Sequence, residues 1–125
     1  MGGLGRVYVI DDDCKVLEST AFLLSALGYE PTTFATAEEF LARAPELPFG
    51  CVLTDLRMPA VDGFELATRF SGLGLDWRVL MMTSDESAGL TERAVAHGIA
   101  TVLPKPVRAD DVADALAAAF GDRED

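Results

Sequence analysis

Four short apolar runs, each of which stops at a polar residue, constrain the fold of this chain more than any other feature. They are residues 6–10 before three aspartates, residues 51–54 before Asp55, residues 78–82 before Thr83, and residues 100–103 before Pro104 and Lys105. Runs of this length, rich in β-branched and other apolar residues, predict buried strands. A weaker alternating run at residues 29–34 contains Pro31 and predicts an edge strand.

Segments with helical spacing lie between these runs and after the last one. The first helix is indicated by Leu17, Thr20, Leu24 and Leu27 before Gly28, a residue suited to end a helix, and further helices are predicted at residues 37–44, 63–70, 87–97 and 110–120. We expect Phe22 and Leu23 to lie on the core face of the first helix. Apolar strands that alternate with helices predict a (βα)₅ α/β domain whose parallel sheet is covered on both faces.

The composition suits one compact domain, since the chain has 125 residues and half of them are hydrophobic. Its formal net charge of −11 opposes direct contact with nucleic acid or with an anionic membrane surface. Because we find neither a secretory signal nor a run long enough to span a membrane, we expect a cytoplasmic protein. We expect Cys14 and Cys51 to act as small buried hydrophobes rather than as disulfide or metal-binding residues.

The carboxyl ends of the predicted strands carry the chemically active residues. In a parallel sheet these ends meet at one edge, and here they bear Asp11, Asp12, Asp55, Thr83 and Lys105. Three neighbouring carboxylates repel one another, so we expect a divalent cation among them, and oxygen ligands favour Mg²⁺. A carboxylate nucleophile, a metal and a lysine together suit phosphoryl transfer, which depends mainly on positioning and on neutralising charge.

Four motifs resemble those of the receiver domains of bacterial two-component response regulators. They are Ile10-Asp11-Asp12; Leu53-Thr54-Asp55-Leu56-Arg57-Met58-Pro59 running on to Asp62-Gly63-Phe64-Glu65-Leu66; Thr83-Ser84; and Lys105-Pro106, in the family's order and with similar separations. The resemblance implies a doubly wound, flavodoxin-like (βα)₅ sheet with strand order 2-1-3-4-5. We expect a flexible leader at residues 1–5, a receiver domain at 6–120, and at 121–125 a polar tail or the start of a linker.

The resemblance also implies a role for each residue of the site. Asp55 would accept a phosphoryl group from a sensor histidine kinase or a small phosphodonor, and the domain would catalyse this transfer and its reversal by water rather than act as an enzyme on other substrates. Mg²⁺ would be bound by Asp12, Asp55 and the backbone carbonyl of Arg57, and through water by Asp11. The phosphoryl oxygens would meet Lys105 and Thr83, while Ser84 would be small enough to admit the donor.

The resemblance implies that the output is a change in the surface formed by the fourth helix, fifth strand and fifth helix. This surface would act on an output domain or a partner protein, with transcription as the output by analogy, and homodimerisation on phosphorylation stays open. The Lys105–Pro106 bond would be cis. Val102 stands where many members carry Tyr or Phe, so we expect the switch to run through the loop at residues 83–86 instead. Arg57 and Asp85 could form an ion pair that slows attack by water.

Three other classes of protein fit this sequence less well. A haloacid-dehalogenase-like phosphohydrolase needs a second acid two residues after the nucleophile, where this chain has Arg57, and the chain is too short for a cap domain. A flavodoxin-like flavin protein needs a phosphate-binding loop after the first strand, where three aspartates would repel the phosphate. A pseudo-receiver that only binds partners would not need the complete set of acids, threonine and lysine.

Overall fold

Strands and helices alternate along residues 3–121, the part of the chain that the computed structural model describes. The strands are β1 (Arg6–Ile10), β2 (Glu30–Phe34), β3 (Cys51–Asp55), β4 (Val79–Thr83) and β5 (Ile99–Pro104). The helices are α1 (Cys14–Ala26), α2 (Ala37–Arg43), α3 (Gly63–Ser71), α4 (Leu90–Ala96) and α5 (Ala109–Gly121), with a 3₁₀ helix (Ala44–Glu46) after α2. All neighbouring strands are parallel, and their order, β2-β1-β3-β4-β5, confirms the predicted flavodoxin-like topology.

Successive side chains of each strand enter two separate cores, one on each face of the sheet. In β1, Tyr8 and Ile10 pack with the buried residues of α2, α3 and α4, whereas Val7 and Val9 pack with those of α1 and α5. This alternation follows from the two-residue period of a strand. Every residue of β3 and β4 is buried, as the continuous apolar runs predicted.

Two predictions about burial are wrong. Phe22 is 78% exposed, because the buried residues of α1, Leu17, Thr20 and Leu24, lie on the opposite side of the helix. Cys14 is also exposed, since it is the first residue of α1 and lies in the open first turn, whereas Cys51 in β3 is buried as expected.

The start of the fourth helix was also predicted wrongly. The spacing of residues 87–97 suggested a helix over the whole segment, but α4 begins at Leu90. Gly89 has a φ of 82°, in the left-handed region, and this conformation cannot continue a right-handed helix backwards. Only Leu90 and Ala94 of this seven-residue helix are buried.

The two ends of the chain are described in part. Within residues 1–5, Leu4 donates a backbone hydrogen bond to Gly28 and Gly5 accepts one from Glu30, both at 2.8 Å. At the other end α5 continues to Gly121, and the rest of the predicted tail, residues 122–125, lies outside the described residues. Among the described helices, none has both the length and the apolar character that crossing a bilayer requires.

Candidate functional site

The carboxyl ends of four strands bring the predicted site residues to one edge of the sheet. The backbone N–H of Leu56 donates to Met82 at 3.2 Å, which aligns the end of β3 with that of β4. The N–H of Lys105 donates to the carbonyl of Thr83 at 2.9 Å, which aligns β5 with β4 in the same way. Because of this register, Asp55, Thr83 and Lys105 end on one level beside Asp11, which follows β1.

Three carboxylates form a cluster at this edge. Asp11, Asp12 and Asp55 each offer an oxygen atom, and these oxygens lie within 4.8 Å of one another. Asp11 is completely buried and Asp55 is 6% exposed, whereas Asp12 is exposed. This is an oxygen-only donor set with an open side, which is the arrangement that a hydrated hard cation such as Mg²⁺ requires.

Lys105 lies between the two enclosed carboxylates. Its Nζ is 3.0 Å from Oδ2 of Asp11 and 3.2 Å from Oδ1 of Asp55. Oδ2 of Asp11 is fully enclosed and, apart from this ammonium, has no hydrogen-bond partner among the described residues. The oxygen therefore has a free acceptor position inside the cluster, which fits a site for a hydrated cation.

The ionisation of Asp55 and Lys105 shows how the charges are balanced. Burial raises the pKa of Asp55, and the neighbouring Asp11 carboxylate raises it further, while Lys105 acts in the opposite direction. Burial alone would lower the pKa of Lys105, but its contacts with Asp11 and Asp55 outweigh this effect and raise it. The site thus favours the charged form of its lysine, and an added cation would favour the charged form of Asp55.

The loop after β3 closes directly on the backbone of Asp55. A Cβ atom on Gly63 would lie 2.7 Å from the carbonyl oxygen of Asp55, so only glycine fits at this position. The N–H of Gly63 donates to the carbonyl of Leu56 at 2.8 Å, and the Asp62 side chain caps α3 by accepting from the N–H of Glu65 at 2.9 Å. Asp62 and Asp13, which caps α1, are therefore helix caps.

The predicted ion pair between Arg57 and Asp85 is present. Asp85 also accepts from both the backbone N–H and the hydroxyl of Ser87, and its own N–H donates to Oγ1 of Thr83 at 3.0 Å. The hydrogen bonds from Ser87 and then from Arg57 lower the pKa of Asp85 to about 2. Ser87 was not among the predicted site residues, although an aspartate two residues before a serine is a pattern that favours such a turn.

Two crevices flank the site. One of about 250 Å³ is lined by residues of the β4–α4 loop, α4 and β5, among them Thr83, Leu90 and Val102. The other, of about 520 Å³, lies against α1 and includes Pro106. Ser84 and Lys105 line both crevices.

Two further expectations concern the fifth strand and the turn after it. The Lys105–Pro106 bond is cis, as the resemblance implied. Val102 is half-buried beside Thr83 and places no ring in the first crevice. The structure thus brings Asp11, Asp12, Asp55, Thr83, Ser84 and Lys105 to one edge, while the carbonyl of Arg57 stays a predicted metal ligand.

Curated relatives align with most of the length of this chain. The transcriptional regulatory protein FixJ of Bradyrhizobium diazoefficiens is 40% identical over 106 residues, which are 85% of this chain and 52% of that protein. The transcriptional regulatory protein TdiR of Thauera aromatica is 32% identical over 119 residues, which are 95% of this chain and 52% of that protein. The chain therefore spans about half the length of these curated relatives.

Solved structures agree with this relationship. Full-length FixJ from B. japonicum superposes with a TM-score of 0.89 at 36% identity, covering 97% of this chain and 60% of that one. A response regulator receiver domain protein from Clostridium thermocellum gives a TM-score of 0.89 at 27% identity, covering 97% of this chain and 98% of that one. The model of the response regulator receiver domain family matches residues 7–117. From this match, together with the FixJ relatives, we conclude that the chain belongs to the response regulator receiver domains of two-component systems.

Proposed function

We propose that this domain is a phosphorylation-dependent switch in which Asp55 accepts a phosphoryl group from a sensor histidine kinase or a small phosphodonor. The observation that carries the proposal is the Lys105 ammonium, which lies 3.0 Å from Asp11 and 3.2 Å from Asp55 beside the three-carboxylate cluster. It supplies a fixed positive charge beside a carboxylate that is 6% exposed and can meet a donor.

In the proposed reaction an oxygen of Asp55 attacks the phosphorus, a P–O bond forms, and the bond to the donor breaks as the donor group leaves. Lys105 neutralises charge on the phosphoryl oxygens, and Thr83, at the end of β4, donates a hydrogen bond to one of them. Asp12, Asp55, the carbonyl of Arg57 and, through water, Asp11 would hold Mg²⁺, which would supply further charge neutralisation. Hydrolysis of the acyl phosphate by water releases inorganic phosphate and returns Asp55 to its carboxylate, so the domain acts on its own phosphoryl group rather than as an enzyme on other proteins or metabolites.

The proposed output is a change in the surface formed by α4, β5 and α5. Since the curated relatives are about twice as long as the matched region and are named transcriptional regulators, we propose that this surface controls an output domain or partner protein that acts in transcription. The structural change would pass from Asp55 to this surface through the loop at residues 83–86, because Val102 has no ring that could rotate.

Labelling by acetyl phosphate tests the proposal. With Mg²⁺ present, intact mass measurement should show one added phosphoryl group on the wild type and none on Asp55→Asn. Asp62→Asn is the matched control, because Asp62 lies in the same loop region but only caps α3 and asparagine also caps helices. Asp55→Asn should melt no lower than the wild type, since it removes a buried charge that Asp11 repels. Labelling of Asp55→Asn at the wild-type rate would disprove the assignment.

A further inference from the structure

Asp85 connects three parts of the site edge through separate atoms. Its Oδ2 accepts from the Arg57 guanidinium, and its Oδ1 accepts from the N–H of Ser87 at 2.8 Å and from the Ser87 hydroxyl. Its own backbone N–H donates to Oγ1 of Thr83 at 3.0 Å. Asp85 therefore links the loop after β3, the hydroxyl at the end of β4 and the segment that leads into α4.

The two partners of the ion pair differ in how firmly they are held. The Asp85 side chain is 13% exposed and is fixed by Ser87, whereas the Arg57 side chain is 72% exposed. Arg57 follows Asp55 by two residues and lies in the loop after β3, so a rotation of its exposed side chain requires no change in the sheet. The guanidinium is thus the partner that can leave.

A phosphoryl group on Asp55 would compete for this guanidinium. It carries a charge of about −2 and three acceptor oxygens, whereas Asp85 offers one negative charge that Ser87 already shares. Arginine also binds phosphate oxygens in a two-pronged geometry that strengthens the contact.

The bond between Asp85 and Thr83 opposes the active arrangement of the threonine. Oγ1 of Thr83 accepts from the backbone N–H of Asp85 at 3.0 Å, and a rotation that carried Oγ1 toward a phosphoryl oxygen would break this bond. The crevice of about 250 Å³ beside Thr83 and Val102 leaves room for the loop to rearrange.

We propose that Asp85 is a positioning residue that holds Arg57 and Thr83 in their resting places, and that a phosphoryl group on Asp55 takes Arg57 from Asp85 and so releases Thr83. The exchange of partners rests on the proposed function of Asp55, whereas the resting contacts do not. Because Ser87 lies three residues before the start of α4, movement of Asp85 also moves the beginning of that helix.

The resting contacts are tested in the free protein, without any phosphodonor. Three-bond NMR couplings should show one χ1 rotamer for Thr83 in the wild type and averaged rotamers in Arg57→Gln and Asp85→Asn. The matched controls are Glu65→Gln and Arg69→Gln, which break an exposed arginine–carboxylate pair on α3 away from the site and should leave Thr83 unchanged. Unaltered Thr83 couplings in both site variants would overturn the positioning role.

The exchange of partners is tested with beryllofluoride and Mg²⁺, a mimic of the phosphoryl group. Asp85→Asn should raise the beryllofluoride affinity about fivefold when Arg57 is present and less than about twofold in the Arg57→Gln background. An equal gain in beryllofluoride affinity in the two backgrounds would mean that Asp85 only repels the anion. This result would overturn the proposed exchange of partners. A wild type that binds no beryllofluoride would contradict the proposed function and the exchange with it, while the Thr83 couplings would still decide the positioning role.

Discussion

Asp11 depends on Lys105 more than any other carboxylate of the site does. It is completely buried, and Lys105 is the cation that faces its enclosed oxygen at 3.0 Å. A buried charge that loses its counter-ion keeps the whole cost of its removal from water. The same lysine must therefore serve the folded state as well as the proposed chemistry.

Lys105→Met should make this dependence measurable. The substitution keeps an apolar chain of similar length but leaves Asp11 and Asp55 facing each other, so the free energy of unfolding should fall by about 3 kcal/mol in metal-free buffer. Added Mg²⁺ should restore part of the loss, because it replaces the missing positive charge. Urea unfolding with EDTA or with Mg²⁺ measures both effects.

Lys15→Met is the control for this experiment. Lys15 lies on the exposed first turn of α1, and its substitution should change the unfolding free energy by no more than about 0.5 kcal/mol. Equal stability of Lys105→Met and Lys15→Met would show that the enclosed carboxylates do not need this lysine.

Among the elements, α4 is short and places few side chains in the core. It has seven residues, of which Leu90 and Ala94 are buried, and Val95 is 63% exposed. Its outer contacts include the Arg93 guanidinium, 4.6 Å from the centre of the Phe64 ring on α3. A short helix held by so few buried side chains is easily displaced, which suits the element that follows Asp85 and Ser87.

The start of α4 can be tested through Gly89. Its φ of 82° is disfavoured for any residue with a side chain, although an added Cβ would meet nothing within 4 Å. Gly89→Ala should therefore lower the unfolding free energy by about 1 kcal/mol through backbone strain alone. Gly121→Ala is the matched control: it also has open space but lies in helix α5, so it should have no effect or stabilise slightly. Equal effects of the two substitutions, measured by thermal unfolding, would contradict this explanation.

The same elements show which parts of the fold could be predicted from the sequence. The strands were predicted to within one residue because buried parallel strands are mostly apolar, as β3 and β4 are up to the polar residues at their carboxyl ends. The start of α4 was missed because the periodicity of residues 87–97 does not reveal the left-handed backbone of Gly89. Phe22 was misplaced because an apolar side chain was assumed to be buried, although its angle around α1 points it outward.

The residues of the candidate site were also predictable only in part. The residues at strand ends were found because the topology of a parallel sheet brings such ends together, and the resemblance supplied the strand order. The partnership of Asp85 with Ser87 depends on the course of an irregular loop, which no periodic pattern specifies.

At the scale of the whole molecule, an aromatic cluster and the acidic cluster lie at opposite ends of the strands. Trp77, the sole tryptophan, precedes the amino end of β4, where its ring stacks on Tyr8 at 5.4 Å and meets Phe70 at 5.3 Å. The acidic cluster lies at the carboxyl ends, about 16 Å away along a five-residue strand.

This separation predicts two different responses to Mg²⁺. The metal should raise the melting temperature, since it binds a site that exists only in the folded state. At ten times its dissociation constant it should stabilise the folded state by about 1.4 kcal/mol. The fluorescence of Trp77 in the native protein should not change, because the metal is too far away. Thermal melts and emission spectra, each recorded across a Mg²⁺ titration, measure these responses.

Asp12→Ala is the variant that tests where the metal binds. Asp12 is exposed, so its loss should leave the metal-free melting temperature close to that of the wild type while removing the increase that Mg²⁺ causes. A Mg²⁺-induced change in Trp77 emission that survives in Asp12→Ala would place the bound metal elsewhere.

The aromatic contacts at the amino ends of the strands have a consequence for how this domain can change over time. Tyr8 stacks on Trp77, Trp77 meets Phe49, and Phe120 at the end of α5 contacts both Phe49 and Tyr29. These rings tie the last helix to the sheet without any help from the charged edge. Substitutions at Arg57, Asp85 or Val102 can therefore alter the charged edge while the aromatic contacts that hold the scaffold stay intact.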